Sequence, residues 1–165
     1  MTNGPTRSFS FKTESEGKIS KIYVSGFLDA HFSWENAASS ITSKSILVNL
    51  KDAQDLNSTG IRQWIFSAKI FENLDVTLSE VSDGLVTLFN QVPRMVENFR
   101  IQSFYVPLAC YNEHEVDRLV KTSILNGETI AAIPNEKCIV CNADLELATP
   151  ERDHLEFLKY CRTSL

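Results

Sequence analysis

Long apolar runs are missing from this 165-residue chain. The longest are about four residues, as at Ile46–Val48 and Ile130–Ile133, against the roughly 20 that a bilayer span needs. No apolar stretch follows the Arg in the N-terminal MTNGPTRSFSFKTE, so it does not read as a secretory signal. The expectation is a cytoplasmic protein with no membrane partner. Cations are also scarce: 16 Lys and Arg stand against 21 Asp and Glu, a formal net charge of −5. Phosphate backbones are bound by clustered Lys and Arg, whereas Arg118, Lys121, Lys137 and Arg152 are scattered among acids, so nucleic acid is not an expected ligand. There is no internal repeat or low-complexity tract. Signatures of catalysis are lacking as well: no Gly-rich phosphate loop, no G-x-S-x-G elbow and no H-E-x-x-H. The expectation is a protein without enzymatic activity.

What is present is a 43% hydrophobic composition, ample for a real core in a chain of this length, and an alternation of two patterns. Ser8–Lys12 and Ile19–Phe27 carry aromatic and β-branched residues near alternate positions, separated by the turn-like Glu14–Gly17. Phe32–Ile41 has helical spacing, and Ser45–Leu50 is a compact apolar run that reads as a central strand covered on both faces. Asp52–Gly60 reads as a loop, and Ile61–Asn73 as an amphipathic helix with Ile61, Trp64, Ile65, Ala68 and Phe71 on one face. Val76–Val81 alternates as a strand, Gly84–Asn90 begins a helix that Pro93 interrupts, and Ile101–Val106 reads as a last strand. Strands alternating with helices predict an α/β fold with at least one parallel pair. Composition changes near residue 107, dividing the chain into a first domain, 1–106, and a tail, 107–165, too short for a generous core of its own. Its end reads as a helix capped by Thr149, with Pro150 in the first turn, Leu155, Leu158 and Cys161 on its core face and His154 at its surface.

Two places carry candidate chemistry. In Asn57-Ser-Thr-Gly60, the side chains of Asn57, Ser58 and Thr59 can cap the helix that follows, and Gly60 permits a tight turn. Alternatively, Ser58 and Thr59 offer an exposed hydroxyl where free amides would stabilise a phosphate. Opposite the core face of that helix lie Arg62, Phe66, Lys69 and Ile70, two of them large and apolar, which suits either a neighbouring helix or a partner-binding patch.

The second place is the cysteines. Cys138-Ile-Val-Cys141 has the C-x-x-C spacing of a metal knuckle, and Asn142 after it tolerates a left-handed backbone. Cys110 would head an upstream pair, with Glu113 or His114 as a fourth ligand, since zinc accepts thiolate, imidazole and carboxylate. A ribbon that has lost its metal, or a redox-sensitive pair, fits the same spacing. Cys161 reads as core.

The run Ile46-Leu-Val-Asn-Leu50, the polar stretch, Asn57-Ser-Thr-Gly60 and the amphipathic helix resemble the STAS domain of bacterial anti-sigma factor antagonists. Leu85-Val-x-x-Phe-Asn90, Pro93, Asn98-Phe99, Ser103-Phe-Tyr-Val-Pro107 and Cys110 are similar to a bacterial subgroup in which STAS precedes a zinc-ribbon-like tail. The resemblance covers residues 8–147 and implies a mixed sheet flanked by helices, no enzymatic activity, and regulation by contact with an anti-sigma factor, a kinase-like protein or another signalling partner. It places that contact at Asn57–Gly60 and the following helix, and the phosphorylated hydroxyl of switched members at Thr59, immediately before the Gly. Those members usually carry Asp three residues before the Gly, where this chain has Asn57. No cofactor is required by this reading, with zinc in the tail as an option. The alternative is a sensor that holds a nucleotide or lipid-like ligand near the same loop.

Overall fold

In the computed structural model, which describes residues 9–125 and 127–162, the first element is a hairpin. Strands β1 (Ser10–Glu16) and β2 (Ile19–Leu28) pair antiparallel, with Glu16 opposite Ile19 and Gly17 turning the chain at φ 61°. Helix α1 (Trp34–Ala38) then carries the chain to β3 (Ser45–Leu56), which lies parallel to β2. Helix α2 (Ser58–Ser67), extended by a 3-10 turn at Ala68–Phe71, leads to β4 (Asp75–Ser79), parallel to β3. Helix α3 (Asp83–Gln91) and a turn at Pro93–Met95 lead to the short β5 (Arg100–Ile101), parallel to β4. The five strands lie in the order β1-β2-β3-β4-β5. This is the mixed α/β sheet with helices that the alternating patterns predict.

A second, antiparallel sheet follows: β6 (Ser103–Ala109), β7 (Glu115–Leu125), β8 (Glu128–Ala131) and β9 (Glu146–Leu147), in the order β8-β7-β6-β9. The handover from one sheet to the other is at Gln102, whose N–H donates to Leu78 O at 2.8 Å while its carbonyl accepts from Thr122 N at 2.9 Å. Ile101–Val106 is therefore two strands in two sheets, not one strand, because Gln102 bonds to both neighbours and breaks the alternation.

The core lies on one face of the first sheet. Ile22, Val24, Ile46, Val48, Leu50, Val76 and Leu78 are buried there against Phe32, Trp34, Trp64, Phe71 and Phe99. Trp34 meets Trp64 edge-on at 4.7 Å between ring centroids, and Trp64 Nε1 donates to Met95 O at 2.8 Å. The central strand is covered on this face only. Leu47 and Asn49, at the alternate positions, are half-buried and face a cleft, so the apolar run reflects one helical layer and the floor of a cleft instead of two layers of helices. The stretch Asp52–Gly60 also departs from the loop that its polarity suggests. Strand β2 continues to Leu28 through irregularities near Ser25 and Gly26, and its pairing with β3 extends to Leu28↔Leu56, leaving Asn57 alone between strand and helix.

The tail folds back onto this core. Helix α4 (Glu151–Leu155) runs into a 3-10 turn at Glu156–Lys159, and Phe157 meets Phe89 and Phe104 at ring-centroid distances of 6.1 and 5.3 Å. Pro150, not Thr149, flanks the helix, its carbonyl accepting from Asp153 and His154. His154 is 5% exposed instead of lying on the surface. The cause is Asn90, which donates to His154 O at 3.0 Å and accepts from Phe157 N at 2.6 Å, rotating the His154 face of the helix inward. Burial pushes the His154 imidazole below its usual pKa, and burial raises Asp83, whose carboxylate lies 3.9 Å from His154 Nδ1. No helix among the described residues is long and apolar enough to cross a membrane.

Candidate functional site

Two turns build a four-donor cluster at the end of the second sheet. The first joins β6 to β7: Glu113 N donates to Cys110 O at 2.9 Å and Cys110 N to His114 O at 3.2 Å, with Glu113 at φ 61°. The second is the Cys138–Ala143 turn, where Asn142 N donates to Cys138 O and Cys138 N to Ala143 O, each at 2.8 Å, with Asn142 at φ 59°. Asn142 thus has the left-handed backbone that its side chain tolerates. A Lys137–Asp144 ion pair at 2.6 Å closes the base of this turn.

The turns bring Cys110, His114, Cys138 and Cys141 together, with their donor atoms all within 4.8 Å of one another. Cys110 Sγ is 3.4 Å from His114 Nδ1 and 3.6 Å from Cys141 Sγ, and Cys138 Sγ is 3.6 Å from His114 Nδ1. Around a tetrahedral zinc with Zn–S of about 2.3 Å and Zn–N of about 2.0–2.1 Å, an S···S edge is about 3.8 Å and an S···N edge about 3.6 Å. The observed edges fall within about 0.2 Å of these values. The cluster can bind a metal such as zinc, with four protein donors and no position left open, the arrangement of structural sites. Cys110 and Cys138 are buried, Cys141 and His114 half-buried. Hydrogen bonding from Asn112, and then from the Ala143 amide, brings the Cys141 thiol down to about 6, into the thiolate form that ligates metal. Burial holds Cys110 above the usual thiol value. Of the two fourth ligands that the sequence allows, the cluster contains His114. Glu113 is exposed, its left-handed backbone occupying the turn between the two ligands. Cys161 lies apart in the core, where burial pushes its thiol up to about 12.

The Asn57–Gly60 stretch lies elsewhere, at the start of α2. Asn57 is the cap, its Oδ1 accepting from Gly60 N at 2.8 Å, and Ser58 and Thr59 form the exposed first turn. Gly60 is buried because the helix rests on the end of β2: a Cβ at this position would lie 1.9 Å from Leu28 O. Along the outer side, Arg62, Phe66, Lys69 and Ile70 are all exposed, Phe66 at 67% and Ile70 at 42%, with Lys69 Nζ 5.7 Å from the Phe66 ring centroid. Asp52 and Asp55 are exposed residues of β3.

A third feature has no counterpart in the sequence reading. A cavity of about 430 Å³ opens between the two sheets, lined by residues that include Asn49, Glu80 and Lys121. Glu80 follows β4 with φ 51°, and nothing in its residue type signals that conformation. No protein-family model matches this chain, and no curated protein matches it in sequence.

Proposed function

We propose that the chain is a non-enzymatic, cytoplasmic regulatory module of the anti-sigma factor antagonist (STAS) type. It docks a kinase-like anti-sigma factor, or a related signalling protein, through Asn57–Gly60 and the outer side of α2. The observation that carries this reading is the exposed aromatic Phe66 at 67%, on the same helix as two exposed hydroxyls, Ser58 and Thr59. Aromatic side chains are enriched at protein interfaces, and Phe66 does not stand alone, since Ile70 is exposed four residues further on. Phosphate on Thr59 would sit at the first turn of α2, stabilised by free amides and by Arg62 three residues on, and would add a charge of about −1.5 to −2 to the docking surface.

In this reading a zinc ion held by Cys110, His114, Cys138 and Cys141 staples the second sheet, substituting for the core that a short tail lacks. The test is affinity capture from the native cell extract with wild type, Phe66→Asp, Thr59→Glu and Thr59→Ala, the captured proteins being identified by mass spectrometry. A regulatory protein retained by wild type and Thr59→Ala, and lost with Phe66→Asp and Thr59→Glu, supports the proposal. Equal recovery by all four variants refutes it.

A further inference from the structure

The cleft between the sheets has a centre built for one kind of ligand. Its floor is the uncovered face of the first sheet, with Tyr23 from β2 and Leu47 and Asn49 from β3. Its wall is β7, which contributes Leu119 and Lys121. The volume of about 430 Å³ falls in the range of small-molecule sites, about 300–1,000 Å³. The carboxyl end of the parallel strand β4 enters the cleft through Ser79 and Glu80.

Glu80 is the fixed point. Its backbone is left-handed, which a glutamate adopts only where its surroundings hold it, and the hold is visible: Glu80 N donates to Ser103 Oγ at 2.9 Å. Its carboxylate is clamped from both sides, Oε1 by Asn49 Nδ2 at 2.9 Å and Oε2 by Tyr105 OH at 3.2 Å. A carboxylate offers about four lone-pair directions, so each oxygen keeps one for a further donor. Lys121 stands opposite Ser103 in the β6–β7 register. Paired residues of an antiparallel ladder project to the same side, so Lys121 shares the side of the sheet that holds Glu80. It is exposed and has no ion-pair partner among the described residues, whereas Lys21 is engaged by Glu16.

We infer that this cleft binds a small zwitterion of the amino-acid or dipeptide class, its ammonium on Glu80, its carboxylate on Lys121 and its apolar side chain against Tyr23, Leu47 and Leu119. A polyanion such as a nucleoside triphosphate is disfavoured, because the cleft offers one uncommitted cation beside a fixed carboxylate. A purely cationic ligand leaves Lys121 without a role. The site is independent of the docking surface on α2.

The experiment is isothermal titration of the purified full chain with single free amino acids and dipeptides bearing apolar side chains, alongside N-acetylated and C-amidated forms of the same molecules. Saturable binding by free forms and none by either blocked form is expected. Affinity should fall by about tenfold or more in both Glu80→Gln and Lys121→Glu and stay unchanged in Phe66→Asp. Because Lys121 is exposed, Lys121→Glu decides the matter if Glu80→Gln does not fold. Absence of saturable heat from every free ligand, binding that survives blocking of either end, or unchanged affinity in Lys121→Glu overturns the inference.

Discussion

A single methyl group at position 60 tests whether the start of α2 is seated on β2 as tightly as described. In Gly60→Ala the new Cβ would lie 1.9 Å from Leu28 O and 2.8 Å from Leu28 C, where ordinary contact begins at 3.4 Å, so a shift of about 1.5 Å (3.4 minus 1.9) is needed. The obstacle is backbone, and Leu28 is itself paired with Leu56, so no side-chain rotation relieves the clash. Overpacking of this kind costs about 1–3 kcal/mol, or more where the backbone must move. Alanine recovers at most about 1 kcal/mol of helix propensity. With the cost at the upper end of that range, because the obstacle is backbone, the net loss is about 2 kcal/mol, and for a chain of this size that lowers the melting temperature by about 4–8 °C. The comparison is Gly84→Ala, in the first turn of α3, where the nearest atom is the side-chain Oδ1 of Asp55 at 3.1 Å and can swing away. Thermal and urea unfolding followed by circular dichroism measure both. Expected are a large loss for Gly60→Ala and a change within about 0.5 kcal/mol for Gly84→Ala. A Gly60→Ala protein as stable as wild type would refute the close seating of the helix, and so the geometry that presents Ser58 and Thr59 to solvent.

Elemental analysis after purification under reducing, chelator-free conditions should give one zinc per chain, retained in Glu113→Ala and lost in His114→Ala. The reverse pattern would assign the fourth ligand to the carboxylate, and no zinc in wild type would mean a four-donor cluster without metal. Stability should also depend on His154. Its pKa is lower in the folded chain than in the unfolded one, so the unfolded chain binds more protons in the window between the two values. The His154 contribution is then complete above the usual value of about 6.5 and is lost as pH falls from there towards the folded pKa. Asp83, shifted up, acts in the opposite sense at more acidic pH. Urea midpoints between pH 7.5 and 5 should fall less steeply for His154→Gln than for wild type, and parallel curves would count against the buried imidazole.

The first sheet was legible because its strands obey a period of two and its helices a period near 3.6 over stretches long enough to count. Ile22 and Val24, then Ile46, Val48 and Leu50, then Val76 and Leu78 mark one face in sequence as they do in space. What escaped were features set by hydrogen bonds from elsewhere in the chain. Strand β3 runs six residues past Leu50 because β2 continues to pair with it, although Asp52, Gln54 and Asp55 read locally as loop. Gln102 ends one sheet and opens another with nothing in its own chemistry to announce it. Strand β7 had a usable signal, Val116 and Val120 on one side and Glu115, Asp117 and Lys121 on the other, but Arg118 on the buried side and the exposed Leu119 on the other obscure the alternation. Its guanidinium lies there because Glu136 pairs with it.

The site followed a similar division, and the left-handed backbone positions show where it lay. Among the described residues, the non-glycine positions with positive φ are Glu80, Glu113 and Asn142. Asn142 could be anticipated, since asparagine is at home in that region. The two glutamates could not, because their side chains give no local compensation, and each conformation costs of order 1–3 kcal/mol that the surroundings must offset. The compensation is non-local at Glu80, through Ser103 Oγ, and internal to the turn at Glu113, through Cys110 O. A fold shaped by stability alone would place glycine or asparagine at such positions. At Glu113 the strained residue lets the turn run one residue longer than in a C-x-x-C knuckle, which is what brings His114, in place of a cysteine at 113, to 3.4 Å from Cys110 Sγ. At Glu80 the strained residue turns a carboxylate at the end of a parallel strand between Asn49 and Tyr105. The backbone strain therefore marks the same two places that the side-chain chemistry does, the four-donor cluster and the cleft, one beyond each end of β6.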